Sequence, residues 1–98
     1  MERLTEEQIA VELEPLDGWQ RKDEKWIEKK YRFQQFMDGI AFVNKVADLA
    51  EQMNHHPMIS IDYKLITLRL STWSAGGLTS LDTRMAAECN QLSKALRY

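Results

Sequence analysis

Two alternating runs, Met58 to Tyr63 and Lys64 to Trp73, follow one another with almost no chain between them. Parallel strands need a crossover of about a dozen residues or more, so neighbours this close pair as an antiparallel hairpin. In the second run Ile66, Leu68 and Leu70 point one way, and Thr67, Arg69 and Ser71 point the other. That pattern describes a strand with one face in a core and one toward water. Asp62 and Lys64 flank the connection.

A similar pair precedes it. Lys25 to Phe33 alternates, with Ile27, Tyr31 and Phe33 on one face and Glu28, Lys30 and Arg32 on the other; Lys29 interrupts the apolar face. Trp19 to Arg21 reads as a short strand after the Asp17-Gly18 turn signal. Between the two pairs, residues 34–54 carry a helical stripe of Phe36, Ile40, Val43, Ala47, Ala50 and Asn54, with Val46 and Met53 beside it and Gly39 as a weak point. Pro57 ends this segment, because the residue before a proline is driven out of helical geometry. Thr5-Glu6-Glu7-Gln8 has the spacing of a capping box and opens a helix that stops before Pro15. After Gly76-Gly77, Thr79 caps a last helix expected to reach about Arg97, apolar at Leu81, Met85, Ala86, Leu92 and Leu96. The expected order is αββαββα. This is an α+β fold in two layers, a four-stranded antiparallel sheet with three helices on one face. With 98 residues the chain is expected to form a single domain over 1–98.

Charge and cysteine content exclude several functions. The net charge of −2 gives no broad basic footprint for nucleic acid. The basic run Arg21 to Arg32 is interrupted by Asp23, Glu24 and Glu28 and reads as solvated surface. Cys89 is the only cysteine, which rules out an internal disulfide and every cysteine-based zinc pattern. A reducing, cytoplasmic location is expected, since Met1-Glu2-Arg3-Leu4 lacks the apolar core of a secretory signal. No run approaches the ~18 apolar residues of a membrane span.

The chemistry concentrates in Glu51-Gln52-Met53-Asn54-His55-His56-Pro57, which holds both histidines of the chain. If the helix extends that far, Glu51 and His55 share a face. His56, turned out by Pro57, then points elsewhere. Two imidazoles in different surroundings suit a paired acid and base. A His-His pair on a surface is, by spacing alone, more often inert. A metal site is not expected, because adjacent residues diverge on a helix and no His-x-x-x-His exists. Trp73 suits either core packing or a flat wall for an aromatic ligand. Asp82 stands at the third helical position after Thr79, where capping suffices to explain both residues. Gly76-Gly77 could present amides to an anion. Tyr63 at the hairpin and Cys89 in the last helix read as structural.

Glu51, three residues, His55-His56-Pro57, five residues, Tyr63, nine residues, Trp73, and then Asp82 after Gly76-Gly77-Leu78-Thr79 form one combined pattern. The pattern resembles the pterin-4a-carbinolamine dehydratase family. Leu4-Thr5-Glu6-Glu7, Gly18-Trp19 and the stretch from Tyr31 through Phe33, Phe36 and Phe42 to Ala50-Glu51 extend the resemblance over nearly the whole chain. It implies a hydro-lyase that removes water from a 4a-hydroxytetrahydropterin to give the quinonoid dihydropterin, as in tetrahydrobiopterin recycling, with no metal or other cofactor. By the same resemblance His55 and His56 share the proton transfers. Glu51 orients or charge-tunes His55, Pro57 and Trp73 wall the pterin ring, and Asp82 supports a histidine or caps its helix. A homodimer or homotetramer is also implied. Many members of the family carry His where Trp73 stands, and an indole cannot transfer a proton. The alternative within the family is an interaction protein, since some members act as dimerisation cofactors for a homeodomain transcription factor and others resemble assembly factors.

Overall fold

The computed structural model describes residues 2–96. Its elements are α1 (Glu6–Leu13), β1 (Gln20–Arg21), β2 (Ile27–Arg32), α2 (Phe36–Met53), β3 (Met58–Asp62), β4 (Leu65–Leu70), a single 3₁₀ turn (Trp73–Ala75) and α3 (Ser80–Lys94). The strands form one sheet in the order β1-β2-β4-β3, with every neighbouring pair antiparallel. This is the αββαββα, two-layer α+β architecture expected from the sequence. β4 is central: Ile27 pairs with Leu70 on one side of it, and Met58 pairs with Arg69 on the other. The β3–β4 link is tight, and Tyr63 takes a left-handed φ of 55° to close it.

Local signals account for the helix starts. In α1 the Thr5 hydroxyl accepts from the Gln8 amide at 3.1 Å while the Gln8 side chain accepts from the Thr5 amide at 2.8 Å. This satisfies two donors that a helix N-terminus otherwise leaves unpaired. Glu6 then reaches Arg21 at 2.9 Å and ties α1 to β1. The Arg21 guanidinium holds the Glu6 carboxyl below its usual range. Gly18 has φ +80°, and a Cβ there would stand 2.6 Å from the Lys29 side chain, so the turn excludes other residues.

The core lies between the sheet face bearing Ile27, Tyr31, Ile66, Leu68 and Leu70 and the helical residues Phe42, Val46, Met85, Ala86 and Cys89. Three expectations require correction. First, the buried line on α2 is Gly39, Phe42, Val46 and Ala50, while Phe36 and Ala47 are exposed. The helix is rotated because Gly39 lets it settle on β4, where an added Cβ would meet Ile66 at 3.3 Å. The residue read as a weak point is therefore a contact point. Phe36 instead stacks with Tyr63 at the sheet edge.

Second, Lys29 is buried rather than a flaw in the apolar face. Its ammonium donates to the Asp17 carbonyl at 2.7 Å and to Asn90 Oδ1 at 3.0 Å, and it lies 4.5 Å from the Tyr31 ring centroid. The same Asn90 oxygen accepts from the Tyr31 hydroxyl at 2.6 Å and the Trp19 indole at 3.2 Å. Asn90 Nδ2 in turn donates to the Asp17 carbonyl at 3.1 Å. Third, α3 stops at Lys94, and the expected end at Arg97 lies outside the described residues. Its buried positions include Asp82, Thr83 and Ser93, and Leu81 and Leu92 are only half-buried.

Candidate active site

The site is set by how α2 ends. Asn54 takes a left-handed conformation at φ 48° and ψ 45°, and its amide returns to the Ala50 and Glu51 carbonyls. Asparagine tolerates that region better than most residues. The His55 amide also bonds to the Ala50 carbonyl at 3.0 Å. The chain thus leaves the helix abruptly, and Pro57 favours extended backbone leading into β3.

The abrupt exit overturns the expected pairing of Glu51 with His55. Helical i, i+4 geometry does not continue past Met53, so the two side chains do not share a face. Glu51 takes His56 instead, Oε2 to Nε2 at 2.5 Å, and both side chains are largely exposed. His55 turns inward, is 8% exposed, and brings Nε2 to 2.7 Å from Asp82 Oδ1.

Asp82 is fully buried, and α3 supplies it from its first turn. Its second oxygen accepts from the Thr79 amide at 2.9 Å and the Thr72 hydroxyl at 2.7 Å. Thr72 has one hydroxyl proton and spends it on Asp82, so Thr79 donates across the 2.8 Å contact between the two hydroxyls. The Thr79 oxygen then accepts from the Leu81 amide at 3.2 Å. Capping and histidine support, the two roles considered for Asp82, are thus carried at once by its two oxygens. A buried carboxylate needs such a complete set of donors to be tolerated. With Nε2 held by Asp82, His55 has Nδ1 left without a side-chain partner among the described residues.

Trp73 lies outside the core. It is 83% exposed and meets Trp26 edge-on, with centroids 6.3 Å apart and planes at 85°. The core-packing alternative for Trp73 is therefore overturned. The Gly76-Gly77 amides are not available to an anion: Gly76 donates to the Trp73 carbonyl at 3.0 Å and Gly77 to the Thr72 carbonyl at 3.3 Å. Trp26, Trp73, Ser71, Thr72 and the two glycines bound a cleft of about 340 Å³. Sequence reasoning did not single out Trp26 and Ser71, which line this cleft. Their only signal was position, one residue beyond the strand ends at Ile27 and Leu70.

Glu51, His55, His56 and Asp82 thus gather into two histidine–carboxylate pairs, with Pro57, half-buried, directly after them. Among the described residues no three His, Cys, Asp or Glu side chains converge as metal ligands. No helix among them is long and apolar enough to cross a membrane. Cys89 is not a nucleophile candidate: burial, with a smaller contribution from Glu88, pushes its thiol up to about 12.

The family model described as "Pterin 4 alpha carbinolamine dehydratase" matches residues 2–92. A relative from Gloeobacter violaceus, named "Putative pterin-4-alpha-carbinolamine dehydratase 2", is 47% identical over 90 residues, covering 89% of this chain and 98% of its own. A relative from Sulfurisphaera tokodaii with the same name apart from the numeral is 40% identical over 92 residues, covering 94% of this chain and 98% of its own. The crystal structure of a transcriptional coactivator/pterin dehydratase from Brucella melitensis superposes with a TM-score of 0.88 at 34% identity, over 92% of this chain and 97% of that one. A pterin dehydratase-like protein identified as a RuBisCO assembly factor shares the fold, with a TM-score of 0.66 at 20% identity over 78% of this chain and 89% of that one. By sequence match and by structure, the chain belongs to the pterin 4 alpha carbinolamine dehydratase family.

Proposed function

We propose that this protein dehydrates a 4a-hydroxytetrahydropterin by general acid–base catalysis. The observation that carries the reading is a pair of adjacent imidazoles, each held by its own carboxylate and each in a different environment. In the reaction the C4a–O bond breaks and the hydroxyl departs as water, taking a proton from an acid. A base removes the proton from N5, and the N5–C4a double bond of the quinonoid dihydropterin forms. His55 and His56 divide these two roles. Asp82 fixes the orientation of the His55 ring, and Glu51 that of His56. Trp73 contributes apolar surface and no proton. Positioned acid–base groups contribute about 10²–10⁴-fold, which suits this division of labour.

The test is direct. A 4a-hydroxytetrahydropterin is generated in solution and its loss followed by ultraviolet absorbance with and without protein. Acceleration that disappears in His55→Ala and His56→Ala supports the reading. Unchanged turnover in both variants removes it. Cytoplasmic pterin recycling is the corresponding cellular role.

A second reading, an interaction protein, draws on one structural observation. β3 is an open sheet edge, and Met58, Ile61 and Tyr63 on or beside it are exposed. Such an edge invites another strand, and pairing with a second copy across a two-fold axis gives the homodimer or homotetramer expected from the family resemblance. Folded protein that accelerates nothing but associates in sedimentation favours this second reading over catalysis.

A further inference from the structure

We propose that Trp26 is a ring-binding residue: with Trp73 and the Ser71 hydroxyl it forms a seat for the flat pterin heterocycle beside His56. The proposal rests on the dehydratase reading and adds a specificity residue to it.

Four observations converge. Trp73 leaves 83% of its surface in water, more than any other large apolar side chain described. An indole so exposed offers a large, flat, unused contact surface. Trp26 stands perpendicular to it, and the two ring planes make a corner that opens on the cleft of about 340 Å³. Ser71 lines that cleft, is 8% exposed, and its hydroxyl has no partner among the described residues. Apolar walls with one or two fixed polar groups are the usual composition of a small-molecule site.

The sheet register supplies the fourth observation: extended beyond the last paired residues, it sets His56, which does not itself line the cleft, across β4 from Trp26. Ile27 faces Leu70 on β2, and Met58 faces Arg69 on β3. Carried past the strand ends, these registers set Trp26 and His56 on either side of Ser71. Alternation turns all three side chains to the Arg69 face, away from the helices. The same extension sets His55 across from Thr72 on the helix face. There the two side chains do meet the same carboxylate, that of Asp82. Two strand spacings, roughly 10 Å, separate Trp26 from His56 and leave room for a flat bicyclic ring between them. The Ser71 hydroxyl then meets a nitrogen or oxygen on the ring edge, and Thr72 links the floor of the seat to the buried His55 network.

The test uses the full chain and a stable oxidised pterin as a non-reacting probe, read by calorimetry and by the change in its long-wavelength absorption band on stacking. Trp26→Leu keeps an apolar side chain without a flat face and is expected to weaken binding by about tenfold or more. It should raise KM while leaving kcat near wild type, as for lost uniform binding. Trp26→Phe restores most of the affinity and the spectral change. A residue that only supported the fold would shift the melting point without moving the spectrum. If wild-type protein binds and turns over but Trp26→Leu matches it in Kd and KM, the seat is overturned while the dehydratase reading stands. If wild-type protein neither binds nor turns over, both fall. Should the Leu variant not fold, Ser71→Ala decides, with several-fold weaker binding expected and an unchanged Kd overturning the seat.

Discussion

His55 and His56 are neighbours in the chain, yet their surroundings have little in common. His55–Asp82 lies inside, with the carboxylate bound also by an amide and a hydroxyl. His56–Glu51 lies outside, a contact between two exposed side chains close in sequence. Extended backbone sends successive side chains to opposite faces, so one peptide step separates a buried imidazole from a largely exposed one. The two pairs should therefore differ in what they contribute to stability even if they share the chemistry.

The largest effect should come from the buried pair. Asp82→Ala leaves His55, the Thr72 hydroxyl and the Thr79 amide without their acceptor. A loss of roughly 3–5 kcal/mol in urea unfolding is expected, as for removing one partner of a buried network. A loss below about 1 kcal/mol would show that the inner pair is no more structural than the outer one.

The histidines sharpen the contrast. His55→Ala and His56→Ala should each lower the dehydration rate by about 10²–10⁴-fold. Only His55→Ala should also lower stability, by roughly 1–3 kcal/mol, for the unpaired carboxylate oxygen it leaves inside. Equal melting points for the two variants would erase the distinction. Glu51→Gln should be milder still, within about 1 kcal/mol in stability, because exposed ion pairs contribute little.

The smallest effect concerns another exposed pair, Glu6–Arg21. Arg21 lowers the folded-state pKa of Glu6, so the stability this pair adds is present above the unfolded value of 4.5. It is lost as pH falls through the folded pKa. Glu6→Gln should flatten stability against pH in that acid window, with a slight loss near neutrality and none once the wild-type carboxyl is protonated, as measured by thermal melts across pH. Acid sensitivity equal in size to the effect of Asp82→Ala would mean that exposure does not separate strong pairs from weak ones here.

Much of the architecture was legible because its signals are local. The Thr5–Gln8 box, the Asp17-Gly18 turn and the tight β3–β4 link each involve residues within a few positions of one another. The rotation of α2 was not legible, because it depends on Gly39 meeting Ile66 from a distant strand. The burial of Lys29 depends likewise on Asn90, sixty-one positions away. At the site, spacing singled out Glu51, His55 and His56 and the family resemblance added Asp82, but Glu51 was joined to the wrong histidine. The left-handed turn at Asn54 decides that pairing, and nothing in an apolar periodicity reveals it. Trp26 was invisible for a third reason: its neighbour Trp73 arrives only through the pairing of β2 with β4.

Asn90 sets a limit on how this sequence can drift. One oxygen serves three donors from β2 and the turn before β1, while the nitrogen on the same amide serves the Asp17 carbonyl. Aspartate would offer Lys29 a formal counter-charge but forfeit the donor. Leucine would fill the space and strand every polar neighbour. Histidine would need a ring where a short amide fits. Position 90 is therefore expected to be among the least permissive in a saturation library, a point of inheritance fixed by hydrogen-bond arithmetic on the α3 side of the molecule.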